Sequence, residues 1–105
     1  MQLVIPLKPI PNQTIQVQLG NQPVTLNVYQ LAYGLFIDVL VGNVLIAPSV
    51  ICENLNRIVR SLYLGFVGDF AFLDLQGTSD PVYTGLGSRY VLVYDDMSFG
   101  LAGQF

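Results

Sequence analysis

From Thr14 to Leu19 the chain alternates without interruption, with Ile15, Val17 and Leu19 on one face and Thr14, Gln16 and Gln18 on the other. A period of two is the mark of a half-buried strand. Gly20 to Pro23 is turn chemistry, after which Val24, Leu26 and Val28 face one way and Thr25 and Asn27 the other. The two runs predict a hairpin. Tyr33 to Val41 is apolar on both faces, as in a central or sandwiched strand. Gly42 and Asn43 can supply the positive φ of a two-residue turn. A further strand follows from Val44, and Pro48 is expected to stop it.

The period then changes. Leu55, Ile58, Val59 and Leu62 fall at i, i+3, i+4 and i+7, with Asn54, Asn56, Arg57, Arg60 and Ser61 opposite. That spacing predicts a short helix over 51–64. Glu53 near its start and Arg57 and Arg60 toward its end suit the helix dipole, and Gly65 is placed to end it. Phe70 to Leu75 reads as a strand, Gln76 to Gly87 as a turn-rich loop, and Ser88 to Asp96 as the last strand. About six strands and one helix give a mainly β protein, a small antiparallel β-barrel or sandwich.

The two ends break the pattern. Ile5 to Thr14 carries Pro6, Pro9 and Pro11. Each proline fixes φ and lacks a donor, and the preceding Ile5, Lys8 and Ile10 are pushed to extended geometry. Residues 1–13 are therefore expected to form an extended arm that seals the protein's own edge or lies against a neighbour. On that reading, removing them should leave a folded body spanning 14–96. The tail, 97–105, has no charge and ends in Phe105; free tails are normally polar, so this one should prefer a groove to water.

Composition sharpens this picture. A chain of 105 residues makes one domain that buries roughly 65% of its unfolded surface, and the single Cys52 rules out an internal disulfide. Charged residues are 10% of the chain, against roughly 25–35% on an ordinary soluble surface. Fourteen asparagines and glutamines outnumber the eleven charges. An amide-rich surface resists desolvation less than a charged one, which suits a buried interface. With net charge −3 and no basic run, nucleic acid is not an expected partner. No apolar stretch is long enough to span a membrane as a helix, and no secretory signal is visible.

Little chemistry is on offer. Histidine is absent, which removes the commonest general base and metal ligand, and no cofactor or catalytic residue is expected. Cys52 reads as a buried apolar residue beside the helix. Neighbouring Asp95 and Asp96 would point to opposite faces of a strand, as solvated strand-end residues. Asp38, in an apolar strand, needs a partner; Arg89 is the candidate. Gly85 to Ser88 is not followed by lysine or helix and fails as a phosphate loop; its glycines instead allow a sharp turn into the last strand. A small-ligand β-barrel would need a cavity lined by the apolar faces of both hairpins. A wall-degrading enzyme would need two carboxylates within roughly 5–10 Å.

The opening "IPLKPIPNQTIQVQL" and the late "PVYTGLGSRYVLVY" resemble the small phage tail proteins of the baseplate plug family. Pro6, Pro9, Pro11, Asn12, Gln13, Leu86, Gly87 and Arg89 are the family-like positions. The resemblance implies a β-rich structural virion protein of a contractile tail's baseplate hub, assembled in the host cytoplasm, with no enzymatic activity. Its partners would be tube, hub or spike subunits or the baseplate wedge, with several copies in a symmetric assembly. Pro6, Leu7, Pro9, Ile10, Pro11, Asn12 and Gln13 of the arm, with Phe99, Leu101 and Phe105 of the tail, are the expected partner contacts. Asp38, Leu86, Gly87 and Arg89 are expected to be structural.

Overall fold

A computed structural model describes residues 2–59 and 68–96. Its strands in chain order are β1 (Gln2–Ile5), β2 (Asn12–Leu19), β3 (Gln22–Leu31), β4 (Gly34–Val41), β5 (Val44–Ile51), β6 (Asp69–Asp74) and β7 (Tyr90–Asp95), with one 3-10 turn at Tyr83–Gly85. Strands β2 to β5 form a four-stranded antiparallel meander in sequence order, and a second sheet has the order β1-β7-β6. The fold is mainly β and sandwich-like; the two sheets do not close into a barrel.

Alternation carries the packing. Leu26, Val28, Ile37 and Val39 from the meander meet Ile5, Phe70, Phe72 and Leu92 from the smaller sheet in one core cluster, and each is at most 2% exposed. Burying a side chain of this size contributes roughly 1.5–3 kcal/mol.

At the N-terminal end residues 2–5 seal the protein's own edge, one of the two alternatives expected for the arm, but they do so as part of the body. Residues 1–13 are not a detachable arm. Gln2 to Ile5 pair with Asp95 to Leu92 as an edge strand, and Ile5 and Leu7 belong to the core. All three prolines lie after β1, so they spare its ladder and stiffen only the connector from one sheet to the other. Deleting 1–13 would therefore remove a strand and two core side chains.

Pro48 does not stop β5, which continues to Ile51. β5 is an edge strand, where a missing donor is tolerated, and the ladder adjusts by register shifts between Ile37 and Leu40. Ser49 sits there at φ 49°, its N–H donating to Asp38 Oδ1 at 2.7 Å.

The helix expected over 51–64 does not form in 51–59, where Ile51 ends β5 and the rest is irregular; residues 60–64 lie outside the described residues. Side-chain acceptors hold the backbone away from helix. Asn54 N–H donates to Asp80 Oδ1 (3.0 Å), and Ile58 and Val59 N–H donate to Asp69 Oδ1 (3.2 and 2.7 Å). Leu55, at φ 66°, donates its N–H to Phe72 O and Ile58 donates to Phe70 O. The segment thus runs along the outer edge of β6.

Candidate functional site

The connector from Pro6 to Pro11 crosses from β1 to β2 over the turn that leads into β7. Leu7 is its anchor, 8% exposed and packed in the core with Leu86. The Leu7 carbonyl lies against Gly87, where a Cβ would collide with it. Gly87 is also at φ +83°, and its N–H closes the turn on Tyr90 O at 2.9 Å. Only glycine meets both demands.

Gln13 locks the connector from the other side. Its Nε2 donates to Lys8 O at 2.7 Å and its Oε1 accepts from Lys8 N–H at 3.1 Å, an exchange like that of paired strands. Ile10 N–H folds back to Lys8 O, and Gln30 N–H reaches Pro11 O, both at 2.8 Å. Gln30 Oε1 accepts from Tyr83 N–H at 3.1 Å, so one side chain ties β3 to the 3-10 turn. Proline stiffness and these bonds restrict the connector.

Of the arm residues expected to meet a partner, Leu7 faces the chain's own core and the Gln13 amide is engaged with Lys8. Pro6, Pro9, Ile10, Pro11 and Asn12 are exposed. Phe99, Leu101 and Phe105 lie outside the described residues.

The bonds of Gln30 also bring Ile10, an expected contact, near Leu31, Tyr33 and Val82, which the sequence reading did not assign to a partner. Next to the bonded Pro11, Gln30 and Tyr83 stand Ile10 (41% exposed), Leu31 (49%) and Val82 (44%), with Tyr33 (87%) in the following turn. Four apolar side chains therefore face outward around one end of the sandwich. Tyr33 was assigned to a strand, yet β4 begins at Gly34; its aromatic ring in a turn beside glycine was the available signal.

Arg89 does not pair with Asp38, which sits on the other sheet. It binds Asp74 in a two-point contact, Nε to Oδ1 and Nη2 to Oδ2, both 2.9 Å, and its guanidinium lies 5.1 Å from the Tyr90 ring centroid. That contact, assisted by the N–H groups of Gln76 and Ser79, holds the Asp74 carboxyl well below the usual carboxylate range despite desolvation. Asp38 instead accepts from Ser49 N–H and, at 3.2 Å, from Tyr29 Oη. Asp95 is not a solvated strand end but fully buried, within 3.4 Å of Gln2 Nε2.

Asp38, Asp69, Asp74 and Asp80 all accept main-chain N–H groups. Their work is structural. Burial pushes the Cys52 thiol far above its ordinary value, which leaves it inert as a nucleophile. Among the described residues no group of three His, Cys, Asp or Glu could hold a metal, and no helix is long and apolar enough to cross a membrane.

The sequence family described as cyanophage baseplate Pam3 plug gp18 matches residues 2–97, taking in the connector, both sheets and the Gly87 turn. This chain belongs to that plug family. It is a β-rich structural protein of the phage tail baseplate, a component of the virion. No curated protein matches the chain. In this chain the stretch "IPLKPIPNQ" now has a physical reading: prolines stiffen the sheet-to-sheet crossing, and the final glutamine bonds it to Lys8.

Proposed function

We propose that this plug-family protein lodges at the central tube or spike of the baseplate and is held there by the apolar end around its connector, while Phe99, Leu101 and Phe105 of the tail meet a neighbouring subunit. Tube, hub or spike subunits are the neighbours it meets. The observation that carries this reading is the exposure of Ile10, Leu31, Tyr33 and Val82 beside the Pro11–Gln30–Tyr83 bonds, with Ile10 on a connector held by Gln13 and Gly87. A preordered apolar patch binds without the cost of ordering a loop, and rigid aromatic anchors tend to dominate interface energy.

The test is point substitution, since truncation of residues 1–13 would damage the core. Ile10→Asp and Tyr33→Asp in the full chain should leave the melting temperature within a few degrees, roughly the effect of an exposed change. Each should cut incorporation into purified tails by at least about tenfold, the consequence of losing about 1.4 kcal/mol of interface energy. Folded variants that enter tails at the wild-type level would refute this docking surface.

A further inference from the structure

The four sheet edges are not equally protected. β5 carries Pro48 and irregular register, the outer edge of β6 is occupied by Asn54 to Ile58, and β1 is only four residues long. Among the described residues β2 has none of these guards. It runs for eight residues, Asn12–Leu19, in unbroken register with β3 and without a charge or a proline. Natural proteins ordinarily blunt such an edge, because its free N–H and C=O groups template another strand.

The ladder fixes which groups are free. Antiparallel pairs alternate between bonded and non-bonded, and Gln30 N–H reaches Pro11 O. The even-numbered residues Asn12, Thr14, Gln16 and Gln18 therefore turn their backbone groups away from β3. The core face is also unfinished along this edge. Ile15 and Val17 are half-buried, whereas the β3 residues opposite them, Leu26 and Val24, are 0% and 1% exposed.

The chain contains a segment of matching chemistry. Over residues 97–105, Met97, Phe99, Leu101 and Phe105 alternate with Ser98, Gly100, Ala102 and Gln104, with no charge and no proline. Extended, nine residues reach roughly 30 Å, enough to cover β2. The family match covers residues 2–97. The segment leaves the smaller sheet at the end of β7, whose Asp95 lies opposite Gln2, whereas β2 is the outer strand of the other sheet.

We propose that the outer edge of β2 is a strand-addition site occupied by residues 97–105 of a second copy of this chain. Main-chain bonds to Asn12, Thr14, Gln16 and Gln18 supply affinity, and the alternate apolar side chains extend the cover over Ile15 and Val17. Tail-to-edge contact is heterologous, so it closes into a ring when the rotation permits. The inference rests on the structural reading above, together with the several copies in one assembly that the family resemblance implies.

The test uses purified full-length protein, so that its outcome is separate from incorporation into tails. Sedimentation should show concentration-dependent association, and hydrogen exchange at the amides of Thr14, Gln16 and Gln18 should slow with concentration. Gln16→Pro removes one outward donor without touching the β3 ladder and should weaken association at least about tenfold. Gln16→Lys serves the same purpose if the proline variant does not fold, and Leu101→Asp should act from the other side. A synthetic peptide of residues 97–105 should compete. A monomer at every concentration, an oligomer indifferent to these substitutions, or β2 amides already protected in the monomer would overturn the proposal.

Discussion

In the four-stranded meander each strand pairs with its neighbour in sequence, whereas in the three-stranded sheet Gln2 lies opposite Asp95 from the other end of the described chain. The meander is written locally, in alternation and short turns, and its ladder is nearly self-sufficient. The smaller sheet closes a long loop before any contact rewards it, which is entropically costly. It compensates with devices the meander needs in only one place. Asp69 gathers N–H groups from Ile58, Val59 and Phe70, Asp74 spans a turn to Arg89, and Gly87 admits Leu7. The one carboxylate with a similar duty in the meander is Asp38, and it stands at the irregularity beside Ser49. Acids mark the points where the ladder alone does not satisfy the backbone.

The largest expected effect follows from removing such an acceptor. Asp69 is 2% exposed, and Asp69→Ala strands the Val59 N–H and weakens the bonding of Ile58 and Phe70. Leaving buried donors unsatisfied costs about 1–3 kcal/mol each, so a total near 3 kcal/mol is expected. In a domain of this size that lowers the melting temperature by roughly 12–20 °C. A loss below about 1 kcal/mol in urea titration would show that the smaller sheet does not depend on its carboxylates.

The same division explains what was legible in the sequence. Period-two runs placed β2 and β3, and a run apolar on both faces placed β4, because their neighbours in space are their neighbours in the chain. β1 was missed because Gln2 to Ile5 is short, abuts a proline cluster, and has meaning only opposite β7. The helix over 51–64 was suggested by Leu55, Ile58 and Val59, yet Asp69 and Asp80, distant in sequence, take the N–H groups that a helix would use in 51–59. The connector's prolines and Gly87 stood out as motif residues. That Leu7 turns inward while Tyr33 turns outward depends on the crossing of two sheets, which no local pattern encodes.

Acid should separate the two sheets next. The Arg89 guanidinium, first among the causes, holds the Asp74 carboxyl below its ordinary value, which is about 3.9 in an unfolded chain. A carboxyl depressed in the folded state stabilises fully above the unfolded value, and that contribution is lost as pH falls from there toward the folded value. Urea midpoints should therefore fall below about pH 4. Asp74→Asn should lower the midpoint at pH 7, and its difference from wild type should shrink as the solution is acidified. A difference constant down to pH 2 would mean that the Arg89 contact contributes nothing through charge.

The smallest effect belongs to the meander's outer face. Thr14 Oγ1 donates to Asn27 Oδ1 across β2 and β3 at 2.9 Å, but both partners are open to water, which replaces the bond when it is lost. Cross-strand pairs of this kind contribute about 0.2–1 kcal/mol, and away from buried features a surface change stays within about 0.5 kcal/mol. Thr14→Ala should therefore shift the urea midpoint barely beyond error, although Thr14 is as regular a strand residue as any in the chain. A loss comparable to that of Asp69→Ala would reverse the ranking of the two sheets, because it would mean that the meander too hangs on individual side-chain bonds rather than on its alternation.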